Sequence, residues 1–210
     1  MHIKRNAYIL LSINRIMDNT AKNLVIASIV LTLLVMFGGN ALGSWFVLET
    51  DSPYAADEYK ANFYLTEYKG ESNEEDVDVE YGDDYQGIEV LTDMEELMIE
   101  KIQNLLYVNI FAGIVALYFL SEDDDEKASL SALVMGVASL AAVFLFATSF
   151  AEALDDDIGY FDMMDEDPSL FGSYDHEDGD TEEKWRPDIA VLLVFVSGLF
   201  GMAAYFEIKS

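Results

Sequence analysis

The chain alternates between long apolar stretches and dense runs of acid. Stretches free of Asp, Glu, Lys and Arg cover residues 23–48, 102–121, 128–151 and 189–206. A helix rises 1.5 Å per residue and a bilayer core is about 30 Å thick, so roughly 20 apolar residues cross it. All four stretches fit that length. A core helix of a soluble protein keeps a polar stripe where one face meets water, and LeuValIleAlaSerIleValLeuThrLeuLeuValMetPhe (24–37) has none. The pattern predicts a membrane all-α fold, a four-transmembrane-helix bundle with spans at 23–48, 97–121, 128–151 and 187–208.

The segments between the spans follow other periods. Within 49–96, AsnPheTyrLeuThrGluTyr (62–68) is aromatic and β-branched, and AspValAspValGluTyr (76–81) alternates with period two, as half-buried strands do. LysGlyGluSerAsnGluGlu (69–75) between them reads as a turn. The expectation is a small β-hairpin or sheet confined to this first long loop. Thr92 and Glu95 have capping-box spacing at the start of the second span. Residues 152–186 read as a flexible acidic connection. Pro187 suits the first turn of the last helix, and Trp45 and Trp185 suit a headgroup boundary. Residues 1–22 form either an amphipathic helix on a membrane surface or the first turns of helix one. The first apolar stretch is too long, and too far from the N-terminus, for a usual cleaved signal, so it is read as a retained helix.

Charge orients this layout. Lys4, Arg5, Arg15 and Lys22 precede the first span and Lys209 follows the last. Basic residues stay on the cytoplasmic side, so both termini are expected in the cytoplasm, together with the short loop 122–127, in a multi-pass protein of the cell membrane. The loops 49–96 and 152–188 then lie outside with 17 and 15 acids, within a chain of net charge −29 that is nonetheless 52% apolar. Such a surface repels nucleic acid. The expected partners are the lipid bilayer and either further copies of the chain or another membrane or envelope protein.

Little in the sequence suggests catalysis. The chain has no cysteine, which removes thiol nucleophiles and cysteine-based metal sites. No ionisable residue falls in the middle of a span, where coupled transporters place them. Asn40 and Asn109 are the polar residues that stand out there, read as inter-helix hydrogen-bonding groups, with a polar pore as the alternative. A calcium loop starting at Asp76 fails, because Tyr81 and Gly87 occupy the positions that need Gly and Glu. Loose Ca2+ association at Asp155, Asp157, Asp162 and Asp165 is the weak metal candidate against plain solvation, and no other cofactor is expected.

The order of parts resembles the claudin and peripheral-myelin-protein type of tetraspan protein: short inner N-terminus, long first outer loop with strands, short inner loop, shorter second outer loop. The resemblance covers the whole chain as topology alone. Claudins carry a Trp and paired cysteines in the first outer loop, whereas here Trp45 falls at the end of the first run and cysteine is absent, so no functional residue transfers. The acidic, cysteine-free style is similar to proteins of marine or salt-loving archaea. The resemblance implies a non-enzymatic scaffold or adhesion protein. A cation channel or transport-accessory subunit, with acidic loops concentrating cations, is the other reading.

Overall fold

The computed structural model describes residues 2–38, 43–51, 59–72, 76–82, 84–85, 88–89, 91–176 and 181–210. Among the described residues, four helices are long and apolar enough to cross a membrane. They are α1 (His2–Phe37), α2 (Thr92–Ser121), α3 (Asp125–Ile158) and α4 (Ile189–Lys209). α1 is continuous, so residues 2–22 belong to the helix that carries the first apolar run. α2 changes winding along its length. One α turn, Thr92–Glu95, leads into a π-helical stretch, Glu96–Gln103, and α winding resumes over Asn104–Ser121. In the π stretch Leu97, Met98 and Ile102 are buried, and Lys101 reaches back five residues to Glu96 at 2.7 Å, the spacing that i→i+5 winding aligns.

The strands are β1 (Phe46–Asp51), β2 (Tyr59–Phe63), β3 (Glu67–Ser72), β4 (Asp76–Glu80), β5 (Asp84–Tyr85), β6 (Ile88–Glu89), β7 (Gly172–Asp175) and β8 (Glu182–Pro187). Six of them form one antiparallel sheet in the order β4-β3-β2-β1-β8-β7, and β5-β6 is a separate two-stranded ladder.

Several expectations need correction here. The sheet is not confined to one loop: β7 and β8 come from the stretch read as a flexible connection, and β8 pairs with β1 along its whole length. The hairpin turn is also displaced. It falls at 64–66, closed by Tyr64 N–H donating to Glu67 O at 2.8 Å, while LysGlyGluSer (69–72) is strand. Lys69 and Glu71 look turn-like in composition but occupy alternate positions on a solvated sheet face, which tolerates charge. The first apolar run divides as well. The helix ends at Phe37, and Phe46, Val47 and Leu48 belong to a buried strand. Gly43 precedes it at φ +91°, where a Cβ would run into the Ile189 side chain.

Contacts divide the chain into two compact units. The first, the helical unit, comprises 1–34, 105–141 and 194–210. Its core is Val25, Ala112, Ala116, Leu120, Ala128, Ala132, Met135 and Ala204. The small residues let helices approach closely. A Cβ on Gly136 would meet Met202 N at 2.8 Å and Gly198 O at 3.0 Å, the close backbone contact on which helix association in lipid relies. The second, the sheet unit, comprises 35–104 and 142–193. One face of its sheet packs on α3: Phe150 lies 4.7 Å from Phe46 and 5.6 Å from Phe63, ring centre to ring centre.

Candidate functional site

Two features carry the chemistry, one in each unit. In the helical unit, Ser28 and Thr32 sit one turn apart on α1. Asn109, Ser139 and Ser197 come from α2, α3 and α4, and all five side chains are fully buried. Thr32 donates to Asn109 Oδ1 at 2.9 Å and lies 2.9 Å from the Ser197 hydroxyl. The Asn109 amide donates to Ser139 Oγ at 2.8 Å and to Met135 O at 3.0 Å, with Ser28 Oγ at 3.3 Å. Ser197 Oγ is 2.8 Å from Ser28 Oγ and 3.4 Å from Ser139 Oγ. An unpaired amide in an apolar interior costs several kcal/mol on transfer scales. Here each polar group finds another of the set, so the cluster ties four helices together without a charge.

Asn109 therefore makes the inter-helix hydrogen bonds expected of it. Asn40 lies outside the described residues. Among the partners of Asn109, Ser28 and Thr32 did not stand out in the sequence. Their four-residue spacing on an otherwise aliphatic helix was the available signal.

In the sheet unit the strand registers separate two faces. One carries Phe46 and Leu48 of β1, Ala61 and Phe63 of β2, Tyr68 of β3 and Trp185 of β8. It is buried on Phe146, Phe150, Tyr160 and Phe161. The other is ionised. β3 and β4 contribute Glu67, Lys69, Glu71, Asp76, Asp78 and Glu80 to it. Lys60 and Glu49 sit opposite each other on β2 and β1, and Lys184, Arg186 and Glu182 follow on β8, with Asp175 on β7. Among the described side chains, acids on this face outnumber bases eight to four.

The bases are held in ion pairs across and along the strands. Lys60 pairs with Glu49 at 3.0 Å, Arg186 with the same carboxylate at 3.1 Å, Lys69 with Asp78 at 2.8 Å and Lys184 with Glu182 at 2.8 Å. The Lys60 ammonium, assisted by Arg186, holds the Glu49 carboxyl below its ordinary value against a smaller opposing effect of burial.

Both tryptophans belong to this unit's core and not to a lipid boundary. Trp45 and Trp185 are 1% and 4% exposed. Trp45 stacks on Phe146, and its indole N–H is buried without an acceptor among the described residues. Pro187 ends β8 instead of opening α4. Asp188, between them, accepts hydrogen bonds from Ser44 N at 3.0 Å and Ser44 Oγ at 2.8 Å. Beside Trp185, the Glu183 carboxylate accepts from the Tyr160 hydroxyl at 2.6 Å and meets His176 Nε2 at 2.8 Å. Burial, reinforced by that carboxylate, raises the Tyr160 phenol well above its ordinary value and keeps it a donor.

Of the four aspartates considered for calcium, two already bind backbone N–H groups. Asp155 accepts from Phe161 N at 2.7 Å and Asp162 N at 3.1 Å, which caps a single 3-10 turn, Asp162–Met164. Asp157 accepts from Met94 N at 2.8 Å and Asp93 N at 3.0 Å. It thus caps α2 from another helix. The expected capping box does not form: Leu91 is the capping residue, in the left-handed region, with no side-chain hydrogen bond. Asp162 and Asp165 are exposed, Asp165 at φ +55°. Among the described residues, no three His, Asp or Glu side chains are grouped to hold a metal ion.

The fold and site together define a chain with four candidate membrane-spanning helices and an antiparallel sheet built from two separate segments. No protein-family profile and no curated protein matches it in sequence.

Proposed function

We propose that the chain is a four-pass membrane protein with a structural or interaction role, a claudin-like scaffold that organises the envelope laterally or by contact through an acidic ectodomain. It catalyses no reaction of its own, its termini are cytoplasmic, and the charged sheet face is its outward surface. The observation that carries this reading is the closed polar cluster. Five buried polar side chains satisfy one another and leave no ionisable group among them. That is the chemistry of helix-to-helix attachment, whereas a coupled transport path would place titratable groups there. The test is affinity purification of the full chain from native membranes in mild detergent, followed by mass measurement. A stable homo-oligomer or a stoichiometric membrane partner is the expected result. A monomer with nothing attached would overturn the proposal.

The eight-to-four excess of acid over base on the charged sheet face favours a second reading, in which the ectodomain concentrates cations for a conducting or transporting partner. Vesicles containing the protein would then show cation flux above empty controls, and equal flux would remove this reading.

A further inference from the structure

The turn between α2 and α3 and the last turn of α4 bound an open recess of about 440 Å³. Its walls change character along their length. On α3, Lys127, Leu130 and Leu133 are successive residues of one stripe, and on α4 Tyr205 and Lys209 are one turn apart. The uncharged stretch of α3 starts immediately after Lys127, and that of α4 stops just before Glu207. The boundary between ionic and apolar chain therefore passes through the recess. Leu133 lies about 9 Å beyond Lys127 along the helix. Leu130, between them, is 60% exposed, an arrangement that an acyl chain stabilises and water does not.

The ionic end is only partly satisfied from within. Lys127 is held by Asp124 at 2.6 Å and lies 5.1 Å from the centre of the Phe119 ring. Lys209 forms no ion pair among the described residues. Glu126 completes a lining of two carboxylates and two ammonium groups. A net-neutral lining that still presents both signs suits a ligand that is itself zwitterionic, with apolar chains attached.

We infer that this recess binds a zwitterionic phospholipid, with the phosphate at Lys209, the headgroup ammonium towards Glu126, and an acyl chain along Leu130 and Leu133. The inference rests on the reading that the helices cross a membrane. Its test is a lipid titration of the full chain in mild detergent, read by native mass spectrometry and melting temperature. The probes are phosphatidylethanolamine, the matching diacylglycerol and free glycerophosphoethanolamine.

Phosphatidylethanolamine should bind and raise the melting temperature, and the other two should do neither. Lys209→Gln, at an exposed helix end, should fold normally and weaken phosphatidylethanolamine binding about tenfold, the equivalent of losing one charge-assisted hydrogen bond. Equal binding of diacylglycerol, or undiminished binding by Lys209→Gln, would overturn the assignment. Equal binding of free glycerophosphoethanolamine would make the recess a site for a soluble phosphate, which also overturns it. Alkaline carbonate separates this failure from that of the underlying reading. A chain that stays in the membrane but shows no such preference refutes the lipid site alone, and a chain released by carbonate refutes the membrane reading.

Discussion

The two units solve the same problem, burying polar groups, by opposite means. The helical unit keeps five uncharged side chains wholly inside, where each hydrogen bond has little competition from solvent. The six-stranded sheet of the other unit turns its ionised groups, Glu183 apart, to one face and pairs its bases there in partial contact with water. Interior polar contacts depend on geometry and little on salt or pH, whereas exposed ion pairs are screened and titrate. The units should therefore respond to different perturbations.

The largest test removes the aromatic contact on which the sheet rests. Phe150 is fully buried against Phe46, Phe63 and Phe146, so Phe150→Ala should cost about 3–5 kcal/mol. Hydrogen exchange should show lost protection in the sheet unit first. Uniform loss across both units would mean that they do not behave separately. Next, Asn109→Ala removes one partner of Thr32 and one of Ser139, each of which keeps Ser197 nearby, and it should cost about 2 kcal/mol at the modest values measured for buried inter-helix bonds. Its effect should be unchanged between low and high salt in denaturant titrations. A strongly salt-dependent effect would contradict a closed, uncharged cluster.

A smaller loss, about 1 kcal/mol, is expected for Asp157→Ala, which exposes the Asp93 and Met94 N–H groups at the start of α2. Thr92→Ala should change thermal stability far less, which distinguishes the cap supplied by α3 from a local one. The smallest effect belongs to Glu49→Gln, about 0.5 kcal/mol at neutral pH. Its pairing with Lys60 and Arg186 depresses the folded-state value below the ordinary 4.5. The contribution is therefore present above that pH and disappears as pH falls through the depressed value. Wild type and variant should melt alike in strong acid and differ at pH 7.

The four long helices were legible because charge is absent over long stretches, which a helix that meets water on one face does not sustain. Their ends were less so. Trp45, Phe46, Val47 and Leu48 extend the first run without interruption because a strand buried in the sheet unit is as apolar as a spanning helix. The β7 and β8 strands were hidden for the converse reason. In GluGluLysTrpArgPro a single aromatic points inward, and the remaining charges made the stretch look solvated throughout. Asn109 was visible as a polar residue in an apolar run, but its partners on α1 and α3 lie 81 and 30 residues away, and only the fold brings them together. Asp155 and Asp157 looked like loose cation ligands because composition does not reveal which carboxylates are already committed to backbone N–H groups.

The pairing of β1 with β8 sets an order on biogenesis. Glu49 and Arg186 are 137 residues apart, whereas β1 to β4 follow one another closely and can zip as the chain emerges, since nearby contacts close first. Throughout synthesis of α2 and α3, β1 keeps one edge unpaired, and that edge belongs to the segment that holds Phe46, Val47 and Leu48. Such an edge recruits stray strands. It closes when β8 is delivered, and Asp188 then fastens Ser44 to the start of α4. Delivery of β8, just ahead of the last helix, is thus the step that retires the adhesive edge.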